Sequence, residues 1–426
     1  ADLPTHPVIH VTHVRPIHTA LLAAAAAAAA ATVTAAATPA LAQPRVTKSP
    51  AAGAARPESA AFVVTLGADT TAVERFTRTP TATGSRLEGD LLTRTPSVRL
   101  VHYTVTLDRQ GHPTDVELAF RRPDGTPVPT GVTGVRGSFA RDSASFAVQR
   151  PESTTTVRAG GVPAGTMLSF GPSYAMWETA LRALRQAGRD SGAITLWAPG
   201  APQPQRLPAR LSAPGRGEEA QVIYFGDPVL LRVDREGRIL AADGSRTTNK
   251  STVARVADVD VAALARRFAG APAMGQTSPR DTARATLGAA QLLVDYGRPS
   301  RRGRTVWGGT LVPAGQIWRT GANQATHFRT SADLTLGDLA VPAGTYTLFT
   351  LPEADGSYRL IVSRQTGQWG TEYKPDMDLG RVPLTSTTLA EPVEQFTIAI
   401  EPSGAAAGRL VLRWDTRELA VPIAVR

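Results

Sequence analysis

Apolar residues at every second position, cut by glycine-bearing turn pairs, restrict this chain more than any other feature. Phe396, Ile398 and Ile400 alternate with Thr397, Ala399 and Glu401, and Leu410, Leu412 and Trp414 alternate with Val411, Arg413 and Asp415. A period of two sends each set to one face of a strand, so such segments bury one side. Gln110-Gly111, Asp124-Gly125, Glu236-Gly237, Asp243-Gly244 and Asp355-Gly356 stand between apolar runs. These pairs tolerate positive φ and close antiparallel hairpins rather than parallel crossovers. The chain is expected to be mainly β.

Between residues 61 and 270 the pattern predicts strands at 62–66, 98–107, 114–121, 143–149, 193–197, 221–225 and 229–233. Two helices interrupt them. Trp177, Ala180, Leu181 and Leu184 share one helical face, Glu178 is placed to pair with Arg182, and Gly188 suits the position after the last turn. A second helix runs from an Asp260 cap through Val261, Leu264, Ala265 and Phe268 to Gly270. Both apolar stripes read as packing faces, with a lipid or ligand cavity the alternative role for Tyr174 and Trp177. The segment reads as an antiparallel α+β domain, a meander or half-barrel with one or two helices.

Residues 271–285, rich in Ala, Pro, Gly, Ser and Thr without periodicity, read as a linker. Residues 286–426 carry about eight or nine short strand patterns and read as an antiparallel β-sandwich. At the other end, residues 1–42 resemble an export signal: Arg15 precedes an alanine-rich apolar run, and Ala40-Leu41-Ala42 offers a cleavage site after Ala42. That run is too weakly apolar for a membrane anchor, so no transmembrane anchor is expected after cleavage. Residues 43–60 lack large apolar side chains and read as a disordered tether. The expected location is periplasmic or extracellular.

The absence of cysteine removes disulfides, thiolate zinc sites and cysteine nucleophiles together. The net charge of +10 comes almost wholly from arginine, since lysine occurs only at Lys48, Lys250 and Lys374. Arginines are spread along the chain among 36 acids, not gathered with aromatics as nucleic-acid binding wants, so no nucleic-acid partner is expected.

One stretch stands apart. Residues 296–326 hold five arginines, two tryptophans, a tyrosine, an asparagine and six glycines, a composition that suits a ligand-contacting surface better than a core. Arg298, Arg304 and Arg319 with Asn323 are expected to form a pocket for an anionic or sugar ligand, because a guanidinium holds carboxylate or phosphate through paired donors. Tyr296, Trp307 and Trp318 would supply its walls, and Thr326 would sit on the strand returning from a turn at 321–323. In the plainer alternative the tryptophans fill the sandwich and the arginines bond neighbouring carbonyls and acids, Asp295 being nearest in sequence.

The same stretch carries a family resemblance. Tyr296-Gly-Arg-Pro, Gly303-Arg-Thr-Val-Trp-Gly, Trp318-Arg-Thr-Gly-Ala-Asn with Ala325-Thr326, and Pro342-Ala-Gly-Thr-Tyr resemble the bacterial domain of unknown function 2911, from about residue 287 to the C-terminus. The resemblance covers about a third of the chain. It implies an exported bacterial protein and no assigned activity. The sequence departs from that pattern at Val362-Ser363-Arg364, where an asparagine would be expected.

No catalytic constellation, metal site or cofactor site is assigned. After position 42 the histidines are His102, His112 and His327, none at ligand spacing, and neither a Gly-x-Ser-x-Gly elbow nor a lysine-bearing phosphate loop is present. Glu372, Asp376, Asp378 and Glu394 are the acids that could approach one another for glycoside cleavage. The leading expectation is a binding module. The alternatives are an envelope hydrolase using the acids at 372–378 with His327, and a structural or carrier protein without a small-molecule site; oligomeric state is not legible.

Overall fold

A computed structural model of the chain describes residues 56–198, 201, 203–212, 219–224, 226–272 and 274–426. The expected leader, residues 43–55 of the expected tether, and Phe225 lie outside the described residues. None of the described helices is long and apolar enough to cross a membrane.

Fifteen strands form the first sheet: β1 (Glu58–Leu66), β2 (Asp69–Thr81), β3 (Gly84–Thr93), β4 (Arg99–Asp108), β5 (Pro113–Arg121), β6 (Gly134–Phe139), β7 (Ser143–Arg150), β8 (Ser153–Gly160), β9 (Met167–Leu168), β10 (Ser191–Trp197), β11 (Gln205–Leu211), β12 (Glu219–Tyr224), β13 (Asp227–Val233), β14 (Ile239–Asp243) and β15 (Thr252–Val256). Their order is β9 to β15 followed by β1 to β8. It is a meander in which β15 returns beside β1, antiparallel except where β9 meets β10. Phe146 of β7 and Trp197 of β10 come from near opposite ends of this sheet, yet their rings lie 5.0 Å apart. The sheet therefore curls into an open half-barrel.

Helix α1 (Tyr174–Gln186) is packed in that curl, with Ala175 and Leu181 fully buried. Ser173 caps it by accepting from the Met176 amide, while Glu74 of β2 accepts from the Ala175 amide and the Tyr103 hydroxyl. These bonds supply the acceptors that a helix start needs. Glu178 faces Arg182 at 3.9 Å, the pairing that the spacing suggested. It is wholly buried, 2.5 Å from Arg255 and accepting from the Ile239 amide. Helix α2 (Val261–Ala269) starts at an Asp260 cap and lays Val261, Ala265 and Phe268 against Val73 and Leu92.

Two boundaries differ from expectation. β1 begins at Glu58 inside the expected tether, because Ala60 and Ala61 are small enough to pack inward without giving an apolar signal. The second half of the expected 271–285 linker is a strand, β16 (Arg280–Leu287), whose polar composition reflects an edge position.

The second sheet joins β16 to β17 (Ala290–Gly297), β18 (Thr326–Thr330), β19 (Leu334–Leu336), β20 (Leu339–Val341), β21 (Gly344–Pro352), β22 (Tyr358–Ser363), β23 (Asp378–Pro402) and β24 (Ala407–Val425). The order is β16-β17-β18-β21-β22-β23-β24-β19-β20, antiparallel throughout. Long β23 pairs first with β22 and then with β24, with register breaks between Thr388 and Thr397. The bend folds the sheet into two facing layers. Tyr296 of β17 ties the layers together, its hydroxyl donating to the Ile398 carbonyl at 3.3 Å and accepting from the Ile398 amide at 3.0 Å. Trp318, Phe396 and Trp414 fill the space between.

Candidate functional site

The chain between β17 and β18 packs much of its length in the sandwich and touches the half-barrel at Arg302. Arg302 reaches Asp69 at 2.6 Å, and the Ala68 amide donates to the Arg302 carbonyl at 2.9 Å. The approach requires Gly67: it has φ +61°, and a Cβ there would stand 2.3 Å from the Arg302 carbonyl oxygen. Lys250, between β14 and β15, spans the same junction by donating from Nζ to the Thr310 carbonyl at 3.0 Å.

A cleft of about 270 Å³ lies where the two sheets meet. Asn249, Lys250 and Ser251 line it from the half-barrel, Thr277 and Ser278 from the connection, and Arg304, Trp318, Arg319 and Asn323 from the sandwich side. A second hollow of about 220 Å³ adjoins it, sharing Thr248, Lys250, Leu311, Trp318 and Arg319.

Arg319 lines the cleft from a constrained turn. Trp318 exchanges both backbone hydrogen bonds with Thr350, each at 2.8 Å. The turn that follows holds Thr320 at φ 50° and Asn323 at φ 63°, conformations costly for threonine and tolerable for asparagine. The Thr326 hydroxyl holds the Thr320 carbonyl at 2.7 Å, and the Gly370 amide holds the Asn323 carbonyl at 2.9 Å. Gly370 lies so close beneath that a Cβ would sit 2.5 Å from Arg319 Cδ. The guanidinium is thereby pressed into the protein, with Nη1 buried and lacking a hydrogen-bond partner.

Burial pushes the Arg319 guanidinium down to about 10, opposed only by Asp227; at neutral pH it keeps its charge. The Lys250 ammonium is lowered as well, first by burial and then by the charges of Arg319 and Arg304, with Asp227 working against them. Arg304 is lowered by burial and by Arg302, and spends two donors on the Arg301 and Ser300 carbonyls. Among the described residues none of these three cations makes an ion pair. Their neighbours differ: Arg298 pairs with Asp281 at 2.9 Å, Arg301 with Asp415 at 2.9 Å, and Arg280 takes Asp295 at 2.8 Å.

Of the eight residues singled out in the sequence, Arg304, Trp318, Arg319 and Asn323 line this cleft. The other four lie elsewhere. Tyr296 is 2% exposed and bonded to Ile398, Arg298 is engaged by Asp281, the Phe396 carbonyl and Thr397, and Thr326 is fully buried. Trp307 donates to the Trp414 carbonyl and meets Trp318 and Tyr358 edge-on. Much of the 296–326 stretch is thus core and scaffold, contrary to the surface expected from its composition. Sandwich interiors need aromatic volume, and an arginine beside an acid is spent on it.

Sequence reading missed Lys250, Asn249 and Ser251. They arrive from the other sheet, and their only local signals are the rarity of lysine and the polar run Thr247-Thr-Asn-Lys-Ser.

The structure places His327 apart from Asp378. The Asp378 carboxylate accepts from the Tyr373 hydroxyl at 2.7 Å and pairs with Arg381 at 2.9 Å. Glu394 accepts from the Arg302 amide, and His327 Nε2 accepts from the Gly367 amide. His327 stands opposite Thr347, Thr347 opposite Ser363, and Ser363 opposite Asp378. Three strand spacings of this kind separate His327 from Asp378 by about 14 Å. No group of three or more His, Asp or Glu able to hold a metal ion stands together among the described residues.

Residues 278–423 match the sequence pattern of a family described as a protein of unknown function (DUF2911), in agreement with the resemblance in the motifs. A solved β-barrel-like protein of domain of unknown function DUF1849 from Brucella abortus is similar to the chain at 14% identity, with 48% of this chain and 98% of that chain covered and a TM-score of 0.32. No curated protein matches the chain.

Proposed function

We propose, taking residues 278–423 as a DUF2911 domain, that the protein is a binding module for an anionic ligand held where that domain meets the half-barrel. The observation that carries this reading is Arg319: a half-buried arginine whose Nη1 is enclosed and has no partner, beside Lys250 and Arg304, with no ion pair to any of the three among the described residues. Leaving a charged donor unpaired in the interior costs on the order of 1–3 kcal/mol or more, a cost that an anion in the cleft would offset. A carboxylate or phosphate in the cleft would accept from Arg319 and be drawn by Lys250 and Arg304. Asn323, Asn249 and Ser251 would add neutral hydrogen bonds and fix its orientation.

The test is differential scanning fluorimetry against a panel of carboxylates and phosphates, with Arg319→Ala and Asn323→Ala as controls. The reading predicts ligand-dependent shifts in the wild type that both variants lose, with ligand-free melting within a few degrees of wild type. No shift across the panel, or shifts that survive in Arg319→Ala, would count against it. The same proposal places the mature protein outside the cytoplasm, supported by the alanine-rich run and Ala40-Leu41-Ala42. N-terminal sequencing of exported material should begin at Gln43.

A further inference from the structure

Beside the cleft, inside the half-barrel, lies a cavity of about 360 Å³. Val64, Pro172, Asn249 and Ser251 border both spaces, so the two are contiguous. Tyr174, Trp177 and Tyr224 form an aromatic wall, with ring centroids 5.4 Å apart for the first pair and 6.1 Å for the second. Gln205 faces the same cavity from β11. Among the described residues the side-chain amides of Gln205 and Asn249 make no hydrogen bond, whereas the Asn249 backbone amide donates to the Thr247 hydroxyl.

From this arrangement we infer that the ligand is an acidic saccharide, with its charged group against Arg319 and its ring in the aromatic cavity. The inference rests on the anion-binding reading and adds to it the class of molecule that carries the charge. A sugar ring offers C–H faces to aromatic walls and hydroxyls to amides at its edge, matching both halves of the cavity. An alkyl chain would leave the amides of Gln205 and Asn249 facing apolar surface, a desolvation without compensation. A bare small anion would use the cleft and leave the cavity idle. Carboxylate and phosphate sugars share this chemistry, and the probes separate them.

Calorimetric titration of the full chain with galacturonate and glucose 6-phosphate, against galactose, glucose, acetate and inorganic phosphate, tests the inference. At least one charged sugar should bind on the order of tenfold tighter than both its neutral sugar and its simple anion, since each half of the site adds contacts. Gln205→Ala should weaken the charged sugar about fivefold and leave the simple anion unchanged, as expected for one lost hydrogen bond. This variant is used because Trp177 is also a core residue whose removal endangers folding. Acetate or phosphate binding as tightly as the charged sugars would overturn the saccharide inference and leave the anion-binding reading standing. So would a charged sugar indifferent to Gln205→Ala, or a neutral sugar binding equally well. Absence of binding by every anion would remove both.

Discussion

The Arg302 guanidinium lies 2.6 Å from the Asp69 carboxylate, joining the sandwich loop to the first residue of β2 in the half-barrel. Arg302 is only 12% exposed and Arg94 stands 3.6 Å from the same carboxylate, so Asp69 compensates a largely desolvated charge. The cleft takes one wall from each sheet, and this pair is one of the contacts that join them. Asp69→Ala should cost about 2 kcal/mol in chemical denaturation, as expected when a partly buried ion loses its partner. It should also weaken anion binding although Asp69 lies outside the cleft lining; unchanged stability and affinity would show that the sheets are held by other contacts.

Gly370 supports Arg319 from beneath. Gly370→Ala would place a methyl 2.5 Å from Arg319 Cδ and 2.6 Å from the Asn323 carbonyl oxygen, so one of them must move. We expect a loss of about 1–3 kcal/mol from overpacking and a fall in anion affinity of on the order of tenfold. Wild-type affinity in a destabilised Gly370→Ala protein would mean that Arg319 is not the anion's donor.

Lys250 gives the binding a pH dependence. Burial, Arg319 and Arg304 hold its ammonium below the ordinary lysine value, so it sheds its proton earlier than an exposed lysine as pH rises. Anion affinity should therefore decline at a pH below that at which an ordinary lysine titrates, while Arg319 remains mostly charged until about 10. Lys250→Gln should bind more weakly at neutral pH and lose the lower part of the decline. A flat profile in the wild type would remove Lys250 from the site.

His102 gives a test of the half-barrel that is independent of ligand. A hydrogen bond from its ring to Asp90, at 3.0 Å, raises its pKa above the ordinary histidine value, and burial opposes this less strongly. A raised folded value means that the associated stability is fully present below the unfolded pKa of about 6.5 and is lost as pH rises through the folded value. With the ring 41% exposed, that stability is below about 1 kcal/mol, but the titration itself is visible by NMR. Asp90→Asn should move the His102 midpoint down; an unmoved midpoint would mean that β3 and β4 are not registered through this pair.

What the sequence made legible follows from how local each signal was. Alternation in Phe396, Ile398 and Ile400 and the capped helix from Asp260 are complete within one segment, and both stand where expected. β2 and β3 were missed because β2 buries Glu74, whose partners Tyr103, Ser173 and Ala175 are distant in sequence. In the site, Arg319 and Asn323 share one turn whose glycine and positive-φ residues mark it. Lys250 could not be joined to them by any pattern of spacing, since only the docking of one sheet on the other brings it near. Arg298 and Arg304 are alike in residue type, but Asp281, the Phe396 carbonyl and Thr397 engage Arg298 while Arg304 lines the cleft, partners that no local pattern reveals.

The most direct measurement is calorimetric titration of wild type and Arg319→Met with galacturonate and glucose 6-phosphate, accompanied by the melting temperature of each protein without ligand. The account predicts that at least one probe binds the wild type and that Arg319→Met weakens it on the order of 30- to 100-fold, the scale of a charge-assisted pair. The variant should melt no lower than wild type, because methionine removes the enclosed, unpartnered Nη1. Equal affinity in the two proteins, or no binding of either probe to the wild type, would contradict it.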